Sequence, residues 1–230
     1  NSHSTPIITG AEFNVGGLVG LNNSDGFVTQ CYSKGSVTGD SDTGGLIGNN
    51  QGTVENCYSH ASVTSGRPFG IAGNNDGQIT NCYATGLLTS GVELGYGISA
   101  GLADSSFWDI ETTQVLDLAN TGQGLTTTQM QDINTYLTAG WDFSYTDNDP
   151  AVWRMRTDIT DYPHLAFEFP KADFNADMQV NFTDFAMLIN NWLKTDTDPD
   201  FSPQFDLSDD GIIDLNDLQI LSEHWLEIAE

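Results

Sequence analysis

The feature that most restricts this chain is a glycine-punctuated repeat in its first hundred residues. Gly16-Gly17-Leu18-Val19-Gly20 returns as Gly44-Gly45-Leu46-Ile47-Gly48 and, more weakly, as Phe69-Gly70-Ile71-Ala72-Gly73. Each copy runs into an asparagine-rich turn (Asn22-Asn23, Asn49-Asn50, Asn74-Asn75) that ends at Gly26, Gly52 or Gly77. A short β-branched stretch then carries Cys31-Tyr32, Cys57-Tyr58 or Cys82-Tyr83, so the cysteines stand 26 and 25 residues apart. A period too short for a domain, with glycines at fixed turns, belongs to a solenoid. One coil cannot bury its own apolar side, but coils stacked at a strand spacing of about 4.8 Å can, and stacking sets like residues above like in ladders. The fold class expected is mainly β: a right-handed β-solenoid of about four coils. A degenerate fourth copy, Leu94 to Asp109, puts Ser106-Phe107-Trp108 where Cys-Tyr would fall. Bulk there suits a terminal coil that closes the stack.

Gly-Gly-Leu-Val-Gly, an Asn turn, Val-x-x-Cys-Tyr-Ser and a following Ser-Val-Thr-Gly together resemble the GLUG repeat of bacterial surface and adhesin-like proteins, in three copies over about residues 12 to 91. The resemblance implies extracellular display. Packing is the expected role of the tyrosine ladder, with a carbohydrate platform as the alternative. The asparagine ladder reads as turn chemistry with stacked amides, and Asp25 and Asp76 in those turns make only a weak case for a cation. Three cysteines cannot all pair, and their spacing follows the repeat rather than a Cys-x-x-Cys metal pattern, so buried thiols are expected.

Thirty-two acidic residues against 6 basic ones give a net charge of -26. Such a balance repels nucleic acid phosphates and anionic membrane surfaces, and no apolar run reaches membrane-spanning length. Neither nucleic acid binding nor membrane insertion is therefore expected. The acids concentrate after Asp142 as Asp-x-Asp and Asp-x-Asn clusters, a pattern that suits hard cations.

Between residues 112 and 170 the repeat is lost. Thr126 and Gln129 have capping-box spacing, and Met130, Ile133 and Leu137 recur at helical intervals, which predicts a helix over 127–137. Trp141, Phe143, Trp153, Met155, Tyr162 and Phe167 then predict short aromatic-rich strands, the whole forming a small α/β cap over the solenoid end. Segments of this kind (Gly-Leu-Thr-Thr, Gly-Trp-Asp-Phe, Trp-x-Met, Tyr-Pro) resemble those that trail GLUG repeats. Arg154 and Arg156 alternate with Trp153 and Met155 and are expected to be surface ion-pair partners.

The sharpest chemistry lies in the last sixty residues. Asp173, Asn175, Asp177, Gln179, Asn181 and Asp184 occupy positions 1, 3, 5, 7, 9 and 12 of an EF-hand-type loop, and Asp206, Ser208, Asp210, Ile212, Asp214 and Asp217 repeat them 33 residues on. Calcium takes six to eight oxygens, and this spacing turns short side chains and one backbone carbonyl, here of Gln179 or Ile212, toward one centre. Two Ca2+ sites are expected. Beyond each loop the apolar pairs Phe182/Leu215, Phe185/Leu218, Leu188/Leu221, Trp192/Trp225 and Leu193/Leu226 recur at helical intervals, predicting two helices that pack together once the loops are held. His224, beside Trp225, is expected at the surface.

A loop and one helix, taken twice with Asp at position 12, resembles a type I dockerin over about Asp173 to Leu226, a C-terminal all-α, dockerin-like calcium-binding helix pair. One departure is Met178 in place of the glycine expected at position 6, while Gly211 is present in the second loop; the first site is expected to be the weaker. The resemblance implies a cohesin-like partner met by the residues inside each helix start, Phe182-Thr183 and Leu215-Asn216, with a core role as the other reading of Phe182.

The expected organisation is an N-terminal extended segment (1–11), the solenoid (12–111), the cap (112–170) and the calcium module (171–230). Function is expected to be extracellular and non-enzymatic: a scaffold that docks through its calcium-held end. The partner is a cohesin-like domain or another copy of the chain, the latter joined head to tail with Ile7-Ile8 adding as a strand to a neighbour. A carbohydrate-binding adhesin is the alternative. A polysaccharide lyase or hydrolase fits less well, because the solenoid offers only Lys34 and Arg67 as basic side chains and no recognisable carboxylate pair.

Overall fold

The computed structural model describes residues 2–5, 7–11, 13–91, 95–116, 122–143 and 151–228. The chain divides into two compact units, Asn1–Gly140 and Trp141–Glu230.

The first unit is mainly β and is built from coils of five short strands, all paired in parallel. The first coil runs Ser2–Ser4, Ile7–Thr9, Val15–Gly16, Val19–Asn22 and Phe27–Thr29. The second runs Cys31–Ser33, Ser36–Thr38, Asp42–Gly44, Ile47–Asn50 and Thr53–Glu55, and the third Tyr58–Ser59, Ser62–Ser65, Arg67–Phe69, Ala72–Asn75 and Gln78–Thr80. The fourth keeps Tyr83–Ala84 and Leu88–Ser90, then touches the third through single bridges from Tyr96 to Phe69 and from Asp104 to Thr80. Register follows the repeat residue for residue: Val28, Val54 and Ile79 align, as do Tyr32, Tyr58, Tyr83 and Phe107. Ser106-Phe107-Trp108 thus sits where Cys82-Tyr83-Ala84 does one coil earlier, and the Cys82 N–H donates to Ser106 Oγ at 3.1 Å.

Three ladders fill the coils. An apolar one contains Val28, Val54, Ile79, Leu46, Ile47 and Ile71, closed by Trp108. The tyrosine rings are buried and stacked, with Tyr32 to Tyr58 at 4.8 Å and Tyr58 to Tyr83 at 5.0 Å, and His3 continues the stack at 5.0 Å from Tyr32. Offset stacks at such spacing add stabilisation beyond burial, which accounts for a packing role. In the third ladder Asn22 Nδ2 donates to Asn50 Oδ1 (2.8 Å) and Asn50 Nδ2 to Asn75 Oδ1 (2.7 Å), so buried amides satisfy one another along the stack. The wide turns close because the backbone itself is the neighbour: a Cβ on Gly45 would strike the Gly70 carbonyl and Ser59 Oγ, and one on Gly70 the Gly97 carbonyl.

All three cysteines are unpaired and buried. The Cys57 Sγ–H lies 3.4 Å from the Val28 carbonyl, and the interaction with Cys57 followed by burial pushes the Cys31 thiol up, while burial pushes up Cys57.

Two expectations are corrected here. Residues 1–11 are not a separate extended segment: Ser2–Ser4 pairs with Cys31–Ser33 and Ile7–Thr9 with Ser36–Thr38, because the second coil supplies free strand edges that the first two stretches satisfy. Ile8 joins the small cluster of Val15, Val37 and Ala61, while Ile7 is exposed. The helix expected over 127–137 is broken into α2 (Thr127–Met130) and α3 (Ile133–Thr138), preceded by α1 (Ile110–Thr113). The Thr126/Gln129 capping box forms as read, but Asp132 accepts from the Asn134 N–H and starts a second helix, turning Tyr136 rather than Leu137 into the interior. Tyr136 meets Phe107 edge-on at 5.6 Å, so α3 covers the end of the aromatic ladder. Leu94, where the fourth copy was expected to start, and Glu12 lie outside the described residues.

The second unit begins with Trp141, so the expected cap is divided at Gly140. Trp153–Arg154 pairs antiparallel with His164–Leu165, and a 3₁₀ turn, Ala166–Glu168, follows. Trp153 and Leu165 are buried, and Trp141 packs on Trp153 at 4.6 Å. Then come α4 (Phe182–Asn190) and α5 (Leu215–Glu223), whose inner faces share one core of Val180, Leu188, Phe205, Ile213 and Leu221.

Candidate calcium sites

Each loop folds around its own carboxylates. In the first, Asp173 Oδ1 and Oδ2 accept from the Asp177 and Met178 N–H groups (3.2 and 2.9 Å), Asp177 Oδ1 from the Gln179 N–H (3.0 Å), and Asp184 from Phe174, Asn175 and Asn181. Thirty-three residues on, Asp206 accepts from Asp210 and Gly211, Asp210 from Ile212, and Asp217 from Ser208 and Asp214. Asn181 and Asp214 are the N-caps of α4 and α5, and Asp184 and Asp217 complete a capping box on each. The residue expected to ligate at position 12 therefore also closes the capping box of its helix, which couples loop shape to helix formation.

The clasps between the halves repeat too. The chain leaving α4 pairs with the end of the second loop, Leu193 N–H to Ile213 O (2.8 Å) and Ile213 N–H to Lys194 O (3.0 Å). The chain leaving α5 does the same to the first loop, Leu226 N–H to Val180 O (2.9 Å) and Val180 N–H to Glu227 O (3.0 Å).

The donor set fits calcium. Asp173, Asp184 and Asp217 are at most 3% exposed. Ligand oxygens of Asp173, Asp177 and Asp184 lie within 4.8 Å of one another. Burial pushes the Asp173 carboxyl up, against the pull of nearby Arg154 and the N–H groups of Met178 and Asp177. Buried carboxylates so close repel unless a cation or proton joins them, and all-oxygen donors on short loops select a hard divalent ion.

Every residue expected to ligate lies in one of the two loops, with Gln179 and Ile212 in equivalent antiparallel bridges to Ile228 and Thr195. Met178 takes the left-handed backbone that its position demands, φ 67°, as Gly211 does at φ 83°. A non-glycine residue there costs about 1–2 kcal/mol. Its side chain is only 8% exposed and packs with Ala176 and Phe169, which returns a comparable amount of about 1.5–3 kcal/mol. Phe182 and Leu215 are 76% and 70% exposed, at equivalent positions of α4 and α5, and Phe182 also lies edge-on to Trp225. Thr183 and Asn216 beside them are exposed, and His224 is hydrogen-bonded to Glu227.

Sequence reasoning missed the residues that touch the first loop from outside it. Arg156 pairs with Asp158 as expected, and half-buried Arg154 donates to the Asp173 carbonyl at 2.6 Å with its guanidinium over Phe169. Alternation along a strand told which face Arg154 takes, not what that face meets.

The first unit is a stacked-coil solenoid and the second contains a paired loop-helix module, and one family model matches within each. Residues 39–64 match the model of the GLUG motif, and residues 171–226 match that of the dockerin type I domain. Along 154 residues, 65% of this chain, it is 34% identical to a protein of Evansella cellulosilytica (strain ATCC 21833) whose description is of a Gly-rich membrane protein. The chain spans 11% of that relative's length. No solved structure matches it. Among the described residues no helix is long and apolar enough to cross a membrane. Dockerin domains as a class bind calcium and pair with cohesin domains in extracellular and cell-surface proteins.

Proposed function

We propose that this chain is a non-catalytic, exported scaffold: a rigid solenoid presented or anchored through a module that holds two calcium ions. The observation that carries the reading is the duplicated loop, in which the N–H bonds from Asp177 and Met178 to Asp173 and from Asn175 and Asn181 to Asp184 recur from Asp210 and Gly211 to Asp206 and from Ser208 and Asp214 to Asp217. Calcium at each loop would be held by Asp173, Asn175, Asp177, Asn181 and Asp184 with the Gln179 carbonyl, and by Asp206, Ser208, Asp210, Asp214 and Asp217 with the Ile212 carbonyl. The ion's part is to neutralise clustered carboxylates, and the chain's part is to start α4 and α5 from the same residues. The partner is a cohesin-like domain, met by Phe182, Thr183, Leu215 and Asn216; their exposure at the starts of both helices supports this. Titrating calcium into chelator-treated full-length protein, by calorimetry and far-ultraviolet circular dichroism, should give two bound ions and a gain of helix. Fewer than one bound ion per chain, or unchanged helicity, would overturn the reading.

A further inference from the structure

The two loops share a backbone but not their surroundings. We propose that the first loop is held in its ligating shape by residues 151–169, so that it stays ordered without calcium, while the second is ordered by the ion and acts as the calcium-responsive half. The inference rests on the calcium reading and adds a division of labour to it.

Three differences support it. Arg154 Nη2 donates to the Asp173 carbonyl (2.6 Å), the Thr157 N–H to the Ala176 carbonyl (3.1 Å) and Thr157 Oγ1 to the Asn175 carbonyl (2.5 Å), so one side of the first loop is hydrogen-bonded from outside. Among the described residues the corresponding carbonyls of Asp206, Ser208 and Asp209 have no such donor; exposed Lys171 reaches only the Leu207 carbonyl between them.

The second difference is apolar. Met178 and Ala176 are buried with Phe169, whereas their counterparts are Gly211 and the exposed Asp209. Met178 at a position that favours glycine thus reads as an anchor into the preceding segment.

The third is charge. The first loop brings three carboxylates to ligand positions with the Arg154 guanidinium nearby, the second brings four (Asp206, Asp210, Asp214, Asp217), so mutual repulsion in the metal-free state is greater in the second. Hydrogen bonds, burial and charge all favour order in the metal-free first loop. For calcium affinity they oppose, since preorganisation raises it and a nearby cation lowers it, and order without metal is therefore the quantity to measure.

The experiment is hydrogen exchange on the full chain, in calcium and in chelator, read at amides 177–181 and 210–214. In chelator the first set should exchange at least about tenfold more slowly than the second. Arg154→Ala combined with Thr157→Val should erase that difference, and Arg154→Lys should keep part of it. Calcium should restore protection in every variant, a response that a variant damaged in folding would not give. Should the double variant fail to recover in calcium, Met178→Gly tests the apolar anchor, with the same loss expected in chelator. Equal loss of protection by both wild-type loops in chelator, or a first loop indifferent to the substitutions, overturns the inference and leaves calcium binding standing. A second loop equally protected with and without calcium overturns the calcium reading as well.

Discussion

Replacing Asn50 by alanine should remove a large part of the solenoid's stability, although the residue is a polar one at the end of its strand. Its side chain is fully buried, donating to Asn75 Oδ1 at 2.7 Å and accepting from Asn22 Nδ2 at 2.8 Å, with longer contacts of 3.3 Å to the Gly52 and Gln78 carbonyls. Two short hydrogen bonds contribute about 1 kcal/mol each. Truncation also strands the Asn75 oxygen in the interior, at about 1–3 kcal/mol, while Asn22 Nδ2 keeps longer contacts to Gly26 and Thr53. The sum is about 3–5 kcal/mol, against the roughly 5–15 kcal/mol that holds a typical domain. Asn50→Asp should cost at least as much, because it sets an oxygen against the Asn75 oxygen. Asn74 is the internal control: its side chain is exposed, and Asn74→Ala should fall within about 0.5 kcal/mol of the parent. Equilibrium urea unfolding followed by far-ultraviolet circular dichroism measures both. A loss below about 1 kcal/mol for Asn50→Ala, or equal losses at 50 and 74, would refute the amide ladder as a source of stability.

Two further predictions follow from titratable groups. His164 is nearly enclosed; burial disfavours its charge, but the hydrogen bond to Asp161 (3.1 Å) together with the Glu168 carboxylate 3.7 Å away outweighs that and raises its pKa. A raised folded pKa means that the stabilisation is complete below the unfolded histidine value of about 6.5 and is lost as pH rises through the folded value. At saturating calcium, thermal unfolding of the second unit should therefore show a gap between wild type and His164→Gln that narrows from pH 6 upward to about pH 8; a pH-independent gap would refute the pairing. The buried thiols of Cys31, Cys57 and Cys82 should resist Ellman's reagent in the native protein and all react in denaturant, and rapid native labelling would contradict the closed ladder.

Much of this architecture is legible in the chain as written because it is periodic. The repeat aligns Tyr32 with Tyr58 at an interval of 26 residues, and the structure keeps that register, but it sets Asn22 beside Asn50, 28 residues on, and Leu21 beside Asn49. The acidic loops are legible for a related reason: the residues expected to ligate lie within twelve consecutive residues, and the structure gathers Asp173, Asp177 and Asp184 of the first within 4.8 Å of one another. Phe182 was open between core and partner roles, and its exposure came from the structure, since helical periodicity puts it one position off the buried stripe of Phe185 and Leu188.

The sequence by itself determined the coil, its tyrosine ladder and the doubled spacing of the acidic loops, since each depends on residues related by a short repeated interval. Tertiary structure alone decided that Ser2–Ser4 and Ile7–Thr9 complete the first coil, that Asp132 divides a helix, and that Arg154, Thr157 and Phe169 meet the first loop but not the second. Those outcomes turn on which free strand edge, carbonyl or apolar surface a segment meets after the chain has turned back, and no local pattern carries that choice.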